Sequence, residues 1–269
     1  MAIIALHSGA TGLSAQNTAL DVIANNLANS NTDGFKASRT IFQDLLYIQR
    51  AQPGAENARG DQRPIGLSIG LGVKVAGTQL DFRTGSAAAT GRELDIMIDG
   101  RGFFQVQIDD DIAGGFGYTR AGNFSLNSDN QLVLITDQGR ILEPTIDIPP
   151  EATQISISED GIVSAQVTGQ IEPEQLGQIE IASFVNPAGL QQIGENLFIP
   201  TLASGDASIG EPLSDGRGRL LQGFVESSNV DPVIELINLI RTQRAFELNS
   251  QSIQAADEVL QRLGNLRRF

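Results

Sequence analysis

The side chains able to do chemistry are few, and their spacing assembles no reactive site. His7 is the only histidine and cysteine is absent. A histidine-based triad, a histidine metal cluster, thiolate ligation and disulfides are therefore all out of reach. On a helix almost devoid of charge, His7 reads as a packing or capping residue. Asp109-Asp110-Asp111 is an acidic run, but a calcium hand needs acids at alternate positions, a central glycine and a later glutamate. A solvated hairpin tip suits it better. Glu93, Asp95 and Asp99 could supply the carboxylate pair of a glycosidase. Asp95 alternates with Leu94 and Ile96, a pattern that turns it toward solvent on a strand. Gly66, Gly70 and Gly72, with Gly100 and Gly102, hint at a phosphate loop, yet no Gly-Lys-Ser/Thr follows. Arg59-Gly60-Asp61 matches a cell-adhesion tripeptide, a three-residue coincidence in a polar loop. The reading is of a chain with no catalytic residue, no cofactor site and no metal site.

One polar cluster does stand out. Asn25, Asn26, Asn29 and Asn31 crowd the end of the first helical stretch, where asparagine commonly caps. Asn17 lies inside that stretch. A buried amide there costs stability unless paired, and in exchange it can set the register between helices.

The elements that carry these residues are long helices at both ends. From Ile3 to Asn31, Leu6, Leu13, Leu20 and Leu27 recur every seven residues, with Ile3, Ala10, Asn17 and Ala24 as companions. That is an a/d seam. Asp21 is the only formal charge through Asn31, so water serves this helix poorly on every face. Asp231 to Leu266 is the second pattern. Asp231 suits the N-cap, Pro232 the first helical position, and Glu235 the positive end of the dipole. Leu239, Phe246, Ile253 and Leu260 recur at seven, and Thr242, Asn249, Ala256 and Leu263 follow three further on. A second stripe of Ala245, Ser252, Val259 and Leu266 runs alongside. Two stripes mean contacts on more than one side. The ends are expected to pair with each other and then with neighbouring molecules.

Charge separates the ends from the middle. Residues 1–36 hold two acids and one base, residues 230–269 five of each, and the middle 25 acids and 12 bases. The near-neutral ends suit contact and the acidic middle suits solvent. Net charge of −14 argues against nucleic acid. There is no transmembrane run and no basic amphipathic face for a membrane surface. Nor is there a Lys or Arg before Lys36 to open a secretory signal.

Between the helices the period shortens. Thr32-Asp33-Gly34 turns the chain. Ile41, Phe42, Leu45, Leu46 and Tyr47 form an apolar group, helical or extended, and Arg50 to Pro64 reads as an exposed loop or arm. Val73, Val75 and Thr78 begin short β patterns. Strand-like runs follow at 94–98, 103–108, 124–126, 132–135, 155–157, 162–167 and 179–184. Turns at Asp99-Gly100, Gly114-Gly115, Ser128-Asp129-Asn130, Asp137-Gln138-Gly139 and Asp160-Gly161 divide them. Pro200 to Gly218 reads as a polar return loop.

The expected fold is α+β: N- and C-terminal helices paired as a coiled coil, with an inserted antiparallel β domain, sandwich or barrel-like. The expected divisions are 1–36 (N-terminal helix), 37–92 (arm and linker, with the exposed loop 50–64), 93–210 (outer β domain), 211–228 (return linker) and 229–269 (C-terminal helix).

Residues 25–36, Asn-Asn-Leu-Ala-Asn-Ser-Asn-Thr-Asp-Gly-Phe-Lys, resemble the N-terminal signature of bacterial flagellar rod and hook proteins. Residues 222–230, Gln-Gly-Phe-Val-Glu-Ser-Ser-Asn-Val, and Arg244 to Asn249 are similar to its C-terminal signature. Residues 42–47, 70–79, 94–106 with Gly102-Phe103-Phe104, and 189–198 resemble the distal rod member of that family. The proximal rod and hook-type members are the competitors, and the arm 50–69 favours the distal rod. His7 and Ser8 stand where the family more often shows other small or apolar residues.

The resemblance implies a structural subunit and no enzyme. Copies would form a helical tube, with terminal helices inside and the β domain outward. The tube would transmit motor torque and enclose the export channel, and the arm would stiffen it. Subunit packing would fall to Leu6, Leu13, Asn17, Leu20, Leu27, Leu239, Phe246, Ile253, Leu260 and Leu263. The family motif would be Asn25, Asn26, Leu27, Asn29, Gly34, Phe35 and Lys36. The implied partners are further copies, proximal rod proteins, the hook protein, the surrounding bushing rings and the export apparatus. Nucleic acid and membrane insertion are not among them. The implied location is the basal body from periplasm to outer membrane, reached without a cleaved signal. A glycan-acting cell-wall enzyme is the rival from another class.

Overall fold

The structure is a computed structural model that describes residues 2–54, 62–109, 113–167 and 172–266. It is an α+β chain: helix α1 (Ala2–Ala28) opens it, helix α2 (Pro232–Leu266) closes it, and short strands lie between. The chain divides into two compact units. One is built on residues 1–28, 38–79 and 231–269, and the other on residues 29–37 and 80–230.

In the first unit, α1 and α2 pack against each other. The start of α2 follows from its sequence. The Asp231 carboxylate accepts from the amides of Val233 at 2.9 Å and Ile234 at 3.2 Å, satisfying donors that the helix itself cannot. The apolar group at 41–47 is extended. Strand Ser38–Asp44 pairs with Val73–Leu80, and Tyr47–Ala51 pairs antiparallel with Leu67–Gly70. The arm is thus a two-stranded excursion. Most of its large apolar side chains, Phe42, Leu46, Tyr47, Ile65 and Leu67 among them, stay exposed. Arg59-Gly60-Asp61 lies outside the described residues, as do Asp110 and Asp111.

The second unit holds the apolar core. A seven-stranded antiparallel sheet takes the order Gln191–Gly194, Leu197–Ile199, Phe116–Thr119, Phe103–Gln107, Ile181–Ser183 and Ser208–Gly210. Leu142–Glu143 pairs in addition with Phe103–Gln107. A three-stranded sheet joins Ala152–Ile157, Ile162–Val167 and Glu174–Gln178. Ile96, Phe104, Phe124, Leu134, Leu142 and Ile181 pack into the main core. Phe82, Phe103, Phe184, Phe198 and Tyr118 form a second cluster with edge-to-face rings 4.9–5.9 Å apart.

The structure corrects several expectations. The barrel alternative does not form among the described residues: Gln191–Gly194 and Ser208–Gly210 end the large sheet and do not pair with each other, so it stays open. The first helix stops at Ala28 rather than Asn31, because the Thr32 amide folds back onto the Asn29 carbonyl at 3.2 Å. The return loop 200–218 contains the strand Ser208–Gly210. The stretch 211–228, expected as a linker, supplies Arg219–Gln222 against Ile96–Asp99 and Phe224–Glu226 against Ala87–Ala89.

Candidate functional site

Two arrangements gather the residues that the sequence singled out, one in each unit. The first is the α1/α2 pair. The most buried face of α1 is a stripe of small residues, Gly9, Gly12, Ala15 and Ala19, ending in Asn26. Glycine there permits close approach of backbones. A Cβ at Gly9 would lie 2.7 Å from Ile253 Cγ1, and one at Gly12 would lie 3.0 Å from Asn249 Nδ2. Leu239, Phe246, Ile253 and Leu260, with Thr242, Asn249 and Ala256, are half-buried. On α1, Leu6, Leu13, Leu20 and Leu27 are also only half-buried, and Asn17 is exposed. The leucine row therefore runs beside the closest contact rather than through it. The Leu263 side chain lies outside the described residues. His7 is exposed.

The tightness of the stripe carries a prediction. Gly9→Leu overfills the contact against Ile253 and is expected to cost about 1–3 kcal/mol. Circular dichroism should show helix melting at lower temperature, and an unchanged helix transition would refute the assigned contact.

Asn26 explains part of the asparagine cluster. It is buried. Its amide donates to the Ser38 carbonyl at 2.8 Å and its oxygen accepts from the Ser38 amide at 3.0 Å, so it pins the first arm strand to α1. It also shares a hydrogen bond with Glu235, whose carboxyl burial pushes above the ordinary value. Across the arm, the Arg39 guanidinium donates twice to Gln79 Oε1, at 2.7 and 3.1 Å.

The second arrangement is a buried ion cluster. Gly34, Phe35 and Lys36 of the N-terminal signature meet Glu226 of the C-terminal one. Lys36 Nζ donates to Glu226 Oε1 at 2.6 Å and to the Arg83 carbonyl at 2.8 Å. Arg120 Nε donates to Glu226 Oε2 at 2.8 Å, and the Gly85 amide donates to Oε1 at 2.7 Å. The side chains of Lys36 and Glu226 are fully buried and that of Arg120 is 2% exposed. The remaining Arg120 donors reach the carbonyls of Ile98, Gly100 and Gly102. Gly34 is required in this junction. Its φ is +70°, and a Cβ would sit 2.5 Å from the Ala121 amide nitrogen. Asn229 adds a further clasp: its oxygen accepts from the Ala37 amide at 2.7 Å, and its amide donates to the Asp81 carbonyl at 2.7 Å.

The electrostatics follow from two cations sharing one carboxylate. Burial pushes Lys36 down, the Arg120 charge pushes it further, and Glu226 only partly restores it, leaving a pKa of about 8. Burial alone would raise Glu226. The charges of Arg120 and Lys36 and their hydrogen bonds outweigh it and hold the carboxyl below the ordinary value.

The other candidate acids do not converge. Glu93 is exposed and accepts from the Ile155 amide at 3.2 Å, while Asp99 pairs with Arg219 at 3.0 Å. Asp95 corrects an expectation: it is buried, not solvent-facing. It bridges to Asn123 by its backbone, its carbonyl accepts from Gly223, and Arg92 stands 3.8 Å from its carboxylate. Burial, then the nearby Asp95 charge, raises the Asp33 carboxyl. Among the described residues no three histidine or acidic side chains gather around a metal-sized space, and no helix is long and apolar enough to cross a membrane. The buried cluster ties two chain segments 190 positions apart within one unit. Lys36 and Glu226 each fall within a terminal signature, but 190 positions separate them and no local pattern pairs them; nothing in the sequence points to Arg120.

Comparison with known proteins gives three family matches. Residues 6–36 match the family described as flagella basal body rod protein. Residues 97–165 match the flagellar hook protein FlgE/F/G D1 domain, and residues 221–266 match the flagellar basal body rod FlgEFG protein C-terminal family. The chain is 44% identical over 264 residues to the flagellar basal-body rod protein FlgG of Buchnera aphidicola subsp. Baizongia pistaciae, covering 98% of this chain and 100% of the relative. It is 43% identical to the FlgG of Caulobacter vibrioides, covering 98% and 99% of the two chains. Against the rod protein FlgF of the same organism, identity falls to 32%, over 95% and 97%.

Proposed function

The chain belongs to the flagellar basal-body rod protein family, and from that premise we propose how its surfaces build a stiff helical tube. It is a structural subunit of the distal rod and not an enzyme.

The observation that carries this reading is the outward face of α2. Val233, Ile234, Leu236, Ile237 and Ile240 are 45–65% exposed within the first three turns of the helix. Five large aliphatic side chains crowded together suit another protein rather than water. On α1, Leu6, Leu13, Leu20 and Leu27 stay half open beside the glycine stripe. Further copies of the chain would cover both faces, packing coiled-coil-like with Leu239, Phe246, Ile253, Leu260 and Leu263. In this reading Asn17 meets a neighbouring copy. The terminal helices line the inner wall and the acidic β unit faces outward.

Such a tube transmits torque from motor to hook and encloses the path of exported subunits. Its ends meet proximal rod proteins and the hook protein. Its outer surface turns within the periplasmic and outer-membrane rings, and the export apparatus delivers the chain. The acidic exterior would limit adhesion to rings of the same charge.

Concentrating the purified chain and imaging the pellet tests the reading: tubes of uniform diameter are expected, and a monodisperse monomer at every concentration would refute it. The arm has its own test. Deleting Arg50 to Pro64 should leave assembly intact and give curved or flexible tubes. Straight, stiff polymers from that variant would remove the stiffening role.

A further inference from the structure

The β-rich unit carries an exposed apolar side chain next to an acid, and a cavity partly lined by phenylalanine next to a base. Leu202 is completely exposed on a turn held by several side-chain hydrogen bonds. Ser204, buried beneath it, accepts from the Thr201 amide at 2.9 Å and donates to the Thr201 carbonyl at 2.9 Å. The Thr201 hydroxyl donates to the Gly189 carbonyl at 2.6 Å, and the Asn186 amide donates to the Ala203 carbonyl at 3.0 Å. An aliphatic side chain presented to water on a fixed turn loses hydrophobic free energy that only a partner can recover. Asp206 stands beside it, exposed, and has no ionic partner among the described residues.

The cavity measures about 380 Å³, and Phe82, Phe103 and Phe184 are among the residues lining it. Arg101 lies on its lining. That residue is exposed and likewise lacks an ionic partner among the described residues. The acid on that lining, Asp215, pairs with Arg217 at 3.2 Å.

We propose that the Leu202 turn of one copy seats in the Phe82/Phe103/Phe184 cavity of a second copy of this chain, with Asp206 meeting Arg101. This rests on the assembly reading above and goes beyond it by naming a contact between β-rich units. Projection and cavity share no lining residue, so each copy can offer one and receive the other. A head-to-tail contact of this kind propagates into a helix instead of closing a pair.

The test uses the full-length chain in pelleting assays. Leu202→Glu should raise the critical concentration for polymerisation at least about tenfold, the loss of one buried leucine. Asp206→Arg should raise it several-fold, and the swap Asp206→Arg with Arg101→Asp should restore it. The absence of native cysteine makes a crosslink clean. Polymers of the double variant Asp206→Cys/Arg101→Cys treated with a short bis-maleimide should give a ladder of trimers and higher species. Unaltered polymerisation by Leu202→Glu, a swap no better than its single variants, or crosslinks that stop at dimer would each overturn this contact while leaving the tube intact. Failure of the unaltered chain to polymerise would overturn the assembly reading and this contact with it.

Discussion

Glu226→Gln is expected to unfold the β-rich unit at a temperature far below that of the parent chain. The substitution keeps the shape of the side chain and removes the carboxylate that pairs with two buried cations. Breaking a buried pair from one side costs about 3–5 kcal/mol, a large share of the 5–15 kcal/mol that typically holds a domain together. Lys36 can limit the loss by releasing its proton, since its pKa is already pushed down to about 8. Arg120 cannot, because a guanidinium stays charged. It keeps its bonds to the carbonyls of Ile98, Gly100 and Gly102, which is why the loss is bounded. Adding Lys36→Met to Glu226→Gln should recover part of the loss, and differential scanning calorimetry of the four combinations would measure the coupling. A transition within a degree or two of the parent's would show that the cluster contributes little.

The same cluster sets a pH dependence with opposite slopes on its two sides. Glu226 titrates below its unfolded value of 4.5, so its contribution is complete above that pH and is lost as the pH falls through the lower folded value. Lys36 has a folded value of about 8 against 10.5 unfolded. Below pH 8 it is charged in both states, and burying that charge opposes folding. Between 8 and 10.5 the folded protein sheds the proton first and the opposition fades, so stability contributed by this residue rises with pH. Lys36→Met should abolish that alkaline rise, and a rise that persists in the variant would assign it to another group.

Ile237→Asp should abolish polymerisation while leaving the monomer folded. Ile237 is 45% exposed in the single chain, so the substitution does little harm there. In the tube it would place an unpaired charge in a desolvated contact, which costs several kcal/mol. At tenfold per 1.4 kcal/mol, the critical concentration should rise by about a hundredfold or more. Leu13→Asp and Leu260→Asp should act in the same direction, with more harm to the monomer because both positions are half-buried. Sedimentation and circular dichroism together separate the two effects. Normal tubes from Ile237→Asp would mean that this face of α2 meets solvent in the assembly.

What the sequence revealed depends on how local the signal was. The start of the second helix was legible because caps are local: Asp231 and Pro232 act within a few residues, whereas the first helix ends three residues before the expected Asn31. Turn chemistry at Asp99-Gly100 and Asp160-Gly161 placed strand boundaries for the same reason, and both glycines take positive φ. The strands at 219–222 and 224–226 were hidden because partners more than a hundred residues away define them, and their own composition is that of a linker. The glycine stripe on α1 escaped because a heptad search rewards large apolar residues, while the closest helix contact is made by the smallest. Asp95 was misplaced because alternation assumes that one strand face is wet, and here both faces are covered. The Lys36–Glu226–Arg120 cluster was legible only as fragments of two signatures. Nothing along the chain announces that a lysine, an arginine and a glutamate so far apart will share one buried site.

The most direct measurement is amide hydrogen exchange of the chain before and after polymerisation, followed at residues 233–240 and along α1. Rapid exchange of these segments is expected in the monomer and strong protection in the tube, with the β-rich core protected in both. Equal protection of both helices in monomer and polymer would contradict it, since each face would then be complete before any second copy arrived.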